Sequence, residues 1–151
     1  MFDLTGFQVK VYLLCSGVLS LKMLFMALII GRLRLKKEIF ISPEDTVRRG
    51  RVSYKDPDIE RVRRFCYFRA HLNDLENIPI FLSTGAMYLL TKPHPLLAAA
   101  LFLLFTVARL YHTFVYAIRV TPQPARMRAF RIAYIVNICI ILLTLLKVIF
   151  P

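Results

Sequence analysis

The stretch R-A-H-L-N-D-L-E, Arg69 to Glu76, decides how the chain is read. It opens onto Ile78 to Leu90, a run apolar enough for the body of a membrane helix. Yet its first two turns carry Arg69, His71, Asn73, Asp74 and Glu76, with Asn77 just after. Such groups are costly at the mouth of a membrane helix, because hydrocarbon offers them no partners; they normally face a protein interior or a wet cavity. On a helix Arg69, Asn73 and Glu76 fall at i, i+4 and i+7 and share one face. That face presents a cation, an amide and a carboxylate, a set suited to a small zwitterionic ligand. The same residues would also serve as polar contacts that only hold a bundle together.

Composition widens this into a fold class. The chain has 151 residues, of which 58% are hydrophobic, a share that fits a polytopic membrane protein better than a soluble domain of this size. The formal net charge is +12, but the basic residues cluster in connectors between apolar spans. That pattern points to a membrane surface and away from nucleic acid. Cys15, Cys66 and Cys139 have neither metal nor disulfide spacing, so no metal site is expected.

Four spans are expected within a single domain: about 7–33, 69–90, 96–118 and 129–149, with connectors at 34–68 and 119–128. The first is long enough to cross a hydrocarbon core of roughly 30 Å with some tilt. It contains Lys22, for which a carboxylate on a neighbouring helix, Asp74 first, is the expected partner. Ser42-Pro43-Glu44-Asp45 and Asp56-Pro57 both read as helix starts, so the second helix is expected to begin near Pro57. T-K-P-H-P, Thr91 to Pro95, is a short turn that makes the second and third helices antiparallel neighbours. The third span is interrupted at Arg109, His112 and Tyr116, again i, i+3 and i+7 on one face. An Arg so deep needs a carboxylate, with Asp74 and Glu76 as candidates. Twelve of the 21 Lys and Arg residues lie between Arg32 and Arg69, and four more between Arg119 and Arg131. The positive-inside rule then puts both connectors in the cytosol and both termini on the other side. Four short helices enclose little volume, so a polar site between the second and third is expected to be completed by a neighbouring subunit.

Five motifs occur in order: R-L-R-L-K-K-E-I-F-I-S-P-E-D from Arg32, E-R-V-R-R from Glu60, R-A-H-L-N-D-L-E-N-I from Arg69, A-R-L-Y-H-T-F-V-Y from Ala108 and P-Q-P-A-R from Pro122. Together the chain resembles the MAPEG family, membrane-associated proteins in eicosanoid and glutathione metabolism, and most of all its glutathione-transferase branch. The resemblance implies an all-α membrane protein, a homotrimer of four-transmembrane-helix bundles, set in the endoplasmic reticulum or outer mitochondrial membrane. It implies that Arg34, Arg69, His71, Asn73, Glu76, His112 and Tyr116 bind glutathione near the cytosolic face, with Arg109 as a further donor. Arg126 would lie near the sulfur as the catalytic cation. Glutathione would be the co-substrate, and hydrophobic electrophiles and lipid hydroperoxides from the membrane would be the partners. The prostaglandin E synthase branch is the alternative; it has Ser after the arginine that matches Arg126, where this chain has Met127. A non-enzymatic tetraspan scaffold is the other. One departure stands out. Phe65 to Arg69, F-C-Y-F-R, looks like a five-residue insertion, which on a continuous helix would rotate Arg61, Arg63 and Arg64 by roughly 140° relative to the site. Thr46 stands where vertebrate transferases of this branch tend to have Cys, and Cys66 is the one cysteine expected to be exposed.

Overall fold

The computed structural model describes residues 6–36, 66–119, 121 and 124–150. The expected helix starts at Pro43 and Pro57, Thr46 and the three arginines before the apparent insertion lie outside the described residues. Four helices are described: α1 (Phe7–Lys36), α2 (Cys66–Leu90), α3 (Pro95–Thr113, continued by a wider turn over Phe114–Ile118) and α4 (Ala125–Ile149). α1, α3 with its extension, and α4 are each long and apolar enough to cross a membrane. α2 is not among these three, because Arg69, Asp74, Glu76 and the flanking amides dilute its first turns. Helix ends differ modestly from the expected spans. α4 starts at Ala125, so Arg126 and Arg128 stand in its first turn rather than on a connector. Cys66 to Arg69 form the regular first turn of α2, and Phe65, the first residue of the apparent insertion, lies outside the described residues.

Local chemistry explains the turn between α2 and α3. Thr91 and Lys92 donate their backbone N–H groups to Tyr88 and Leu89, both at 3.1 Å, and the Thr91 hydroxyl donates to Tyr88 O at 2.7 Å. Lys92 takes a positive φ of 49°, the left-handed conformation that commonly ends a helix. Pro95 then begins α3, where its missing N–H costs nothing.

All four helices contribute to the core, α4 through Ala133, Val136 and Ile140, and aromatic rings of α1, α2 and α3 dominate it. Phe81 and Phe105 stack with centroids 4.1 Å apart, and Phe102 meets Phe81 edge-on at 5.8 Å. Tyr12 of α1 packs on Phe102 at 5.2 Å and donates its hydroxyl to the Leu82 carbonyl. Gly85 makes that approach possible: a Cβ there would stand 2.7 Å from the Tyr12 ring, so a side chain would displace that ring from its place. The outward faces of α1 and α4 are apolar instead of polar. Leu14, Leu24, Leu142 and Val148 are all exposed, as they would be against lipid.

Candidate functional site

Two polar centres form where α2 passes its neighbours. The deeper one is closed. Asp74 is fully buried and accepts from Lys22 Nζ of α1 at 2.9 Å, from the Arg109 guanidinium of α3, and from the Thr113 hydroxyl at 3.4 Å. Lys22 also donates to the Arg109 backbone carbonyl at 3.0 Å. Arg109 Nη1 donates to Asn73 Oδ1 at 2.9 Å. One carboxylate thus holds two cations in the apolar part of the bundle, tying three helices together. The expected Lys22–Asp74 pair is present, and of the two carboxylates considered for Arg109 it takes Asp74.

The second centre is open. A cavity of about 420 Å³ is lined by Arg69, Leu72, Asn73 and Glu76 of α2, by His112 and Tyr116 of α3 and its extension, and by Arg126, Met127 and Phe130 of α4. The i, i+4, i+7 face of α2 forms one wall, as the spacing requires. Tyr116 sits on the widened turn, which the Arg119 N–H closes onto Phe114 O at 2.8 Å, an i→i+5 bond. Such single wide turns often occur at functional sites because they re-aim a side chain. The Tyr116 ring lies 5.4 Å from that of His112, and the Arg126 guanidinium lies over it at 4.7 Å. This cation–π contact fixes the cation at the cavity edge. Three helices thus gather two cations, an imidazole, one carboxylate, an amide and a phenol around one opening.

Two polar atoms of this lining have no partner among the described residues. His112 Nδ1 and Arg126 Nε are buried and make no hydrogen bond among the described residues. Buried polar atoms are normally paired, so each such atom marks a place for an outside partner. A smaller cavity of about 300 Å³ adjoins this one and shares Glu76 and Phe130 with it. It runs between α2 and α4 along Ile80, Tyr134, Asn137, Ile138 and Ile141.

The remaining expected residues lie elsewhere. Arg109 is fully buried and turned to Asp74 and Asn73, not to the cavity. It shares a helix face with Tyr116, but seven residues put it about 10 Å further along the axis. His71 follows Arg69 by two residues, about 200° round α2, and so lies off the cavity wall. Its Nδ1 is likewise buried and makes no hydrogen bond among the described residues. Arg34 stands half-buried in the last turns of α1, also off the wall. Leu72, Met127 and Phe130 join the wall without having been expected there. As apolar residues they look no different in the sequence from lipid-facing ones, and only their neighbours Asn73 and Arg126 hint at their place.

The apolar exterior, the antiparallel helices and the polar cavity at one end define an integral membrane protein of the helical-bundle class. The chain belongs to the MAPEG family, whose model matches residues 12–146. It is 44% identical over 107 residues to a prostaglandin E synthase of Homo sapiens, a match covering 70% of this chain and 67% of the relative. A prostaglandin E synthase of Mus musculus is 40% identical over 121 residues, 79% of this chain and 76% of the relative. Microsomal glutathione S-transferase 1 of Homo sapiens is 39% identical over 125 residues, 79% and 77% respectively.

Proposed function

We propose that the protein is a glutathione S-transferase that binds glutathione in the cavity between α2, α3 and α4 and directs its thiolate at hydrophobic electrophiles. The observation carrying this reading is the convergence of Arg69, Asn73, Glu76, His112, Tyr116 and Arg126 on one opening. Glutathione has two carboxylates, one ammonium and one thiol. Arg69 offers a planar fork to a carboxylate, and Glu76 takes the ammonium. Asn73, His112 and Tyr116 supply hydrogen bonds. Arg126 stands beside the sulfur, where a cation favours thiolate over thiol, and the thiolate is the nucleophile. The thiol proton leaves to water through the open mouth. The sulfur then bonds to the electrophilic carbon, and the leaving group, such as halide, departs with its electron pair. The same thiolate attacking the terminal oxygen of a lipid hydroperoxide would form an S–O bond as the O–O bond breaks, the alkoxide leaving as the alcohol with a proton from water. The resulting glutathione sulfenic acid would condense with a second glutathione to give the disulfide and water.

The adjoining apolar cavity along Ile80, Ile138 and Ile141 suits a co-substrate arriving from the membrane. Arg109 is a positioning residue in this scheme, since it holds Asn73, which lines the cavity. Arg34 and His71 act from a neighbouring copy, in a homotrimer whose sites open to the cytosol at the endoplasmic reticulum or outer mitochondrial membrane.

The prostaglandin E synthases among the relatives favour a second reading, isomerisation of a prostaglandin endoperoxide with glutathione. Met127 weighs against it, because the cavity wall carries a thioether where that branch has a serine hydroxyl. Purified protein given glutathione and an aryl halide is expected to form the aryl thioether. Endoperoxide turnover without thioether would move the assignment to the second reading. If glutathione fails to bind and neither substrate turns over, both readings fall, leaving a scaffold.

A further inference from the structure

A third cavity, of about 590 Å³, lies on the other side of α4 from the proposed glutathione site. Leu104, Val107, Ala108 and Tyr111 of α3 form one wall, and Ala125, Arg128, Ala129 and Ile132 of α4 the other, with Thr121 and Pro124 at the end where the two helices connect. Its wall is graded. Leu104, Val107, Ala108 and Ile132 make an apolar trough along about 6 Å of α3. Arg128, the Tyr111 phenol and the Thr121 backbone and hydroxyl lie toward the connector end. Val107, Tyr111 and Arg128 are exposed, so the trough is open to whatever surrounds the bundle.

Among the described residues the charge at the connector end is uncompensated. α4 carries Arg126 and Arg128 in its first turn, no acidic residue there, and no side-chain cap. Cations beside a helix N-terminus are unfavourable unless an anion joins them. The two arginines are two residues apart, hence about 200° round the helix. Arg126 accordingly serves the first cavity and Arg128 this one. Among the described residues the Arg128 guanidinium makes no ion pair or hydrogen bond; only its backbone N–H is engaged, donating to Pro124 O at 3.0 Å.

We propose that this cavity is a binding site for an anionic glycerophospholipid, with the phosphate held by Arg128 and one acyl chain laid along Leu104, Val107, Ala108 and Ile132. Charge complementarity at one end and an open apolar trough at the other, on helices long and apolar enough to cross a membrane, select this occupant. The site is separate from the glutathione cavity, so the inference does not rest on the transferase reading.

The chain has no Trp, which gives a direct test. Tyr111→Trp places a single fluorophore in the trough; Leu28→Trp places one on the exposed face of α1 at a comparable distance from the connector end. Each variant is reconstituted in phosphatidylcholine vesicles carrying chain-brominated phosphatidylglycerol or chain-brominated phosphatidylcholine, and quenching gives relative lipid affinities. The expected result is a preference for phosphatidylglycerol at the Tyr111→Trp reporter about fivefold above that at Leu28→Trp, the factor one basic side chain near a membrane surface supplies. Adding Arg128→Gln should abolish the excess, and Arg128→Lys should retain part of it. Circular dichroism of each variant confirms that helix content is kept. Equal preference at both reporters would mean general attraction to a basic protein and overturn the proposal. So would a preference that survives Arg128→Gln. Weak quenching by either lipid at Tyr111→Trp would also overturn it, showing the face covered by another copy of the chain.

Discussion

The ion cluster and the proposed glutathione cavity draw on neighbouring residues of one helix and do opposite things. Asp74 points inward and satisfies Lys22, Arg109 and Thr113. Asn73, one position before it, holds Arg109 and also lines the open cavity. Closure makes the first set structural. Every charge in it has a partner inside the chain. Openness makes the second set available, with His112 Nδ1 and Arg126 Nε still lacking partners among the described residues. Polar residues in a membrane helix therefore do not by themselves mark a ligand site; what matters is whether the chain answers their hydrogen bonds itself.

Substitutions separate the two centres. The largest effect is expected at Asp74. Asp74→Leu leaves two buried cations facing each other, and breaking a buried pair costs about 3–5 kcal/mol. Thermal denaturation in detergent should show a collapse in stability. The triple change Lys22→Met, Asp74→Leu, Arg109→Met should recover most of it, because no uncompensated charge remains. If the triple variant is as unstable as the single one, the cluster is more than a charge balance.

Arg126→Ala should do the reverse. Its side chain stands at the edge of an open cavity, so the melting temperature should barely move. The conjugation rate should fall about 100-fold or more, as when one charge-stabilising donor is removed from an active site. Asn73→Ala touches both centres and should show both losses in milder form. Leaving the Arg109 Nη1 donor unanswered costs about 1–3 kcal/mol, and glutathione binding should weaken with it. Asn73 would be assigned to only one centre if stability and binding were uncoupled. Met127→Ser is the mildest change. Stability should hold within about 0.5 kcal/mol, and any gain in endoperoxide turnover relative to aryl halide conjugation would measure how far this position separates the two branch activities.

Much of this is legible in the sequence. Helix faces follow from spacing, so Arg69, Asn73 and Glu76 group together by their positions along the chain, and a carboxylate for Lys22 is to be sought on a neighbouring helix. The family follows from five motifs in order. What spacing does not encode is depth and the identity of the neighbour. Arg109 shares a face with Tyr116 yet meets Asp74, because three helices cross at its level. The wide turn at Phe114–Ile118, which carries Tyr116, has no sequence signature. Leu72 and Phe130 become cavity walls only because α2 and α4 lie side by side, and the trough beside Arg128 arises only where α3 packs on α4.

The most direct test of the division between a structural cluster and a working cavity is the ultraviolet difference spectrum of the purified protein with glutathione near neutral pH, recorded for the native chain and for Arg126→Ala. The expected result is a thiolate band in the native protein that is lost in Arg126→Ala while the melting temperature is unchanged. A native protein that binds glutathione without a thiolate band, or an Arg126→Ala variant that keeps the band in full, would contradict the role given to Arg126 and to the cavity it edges.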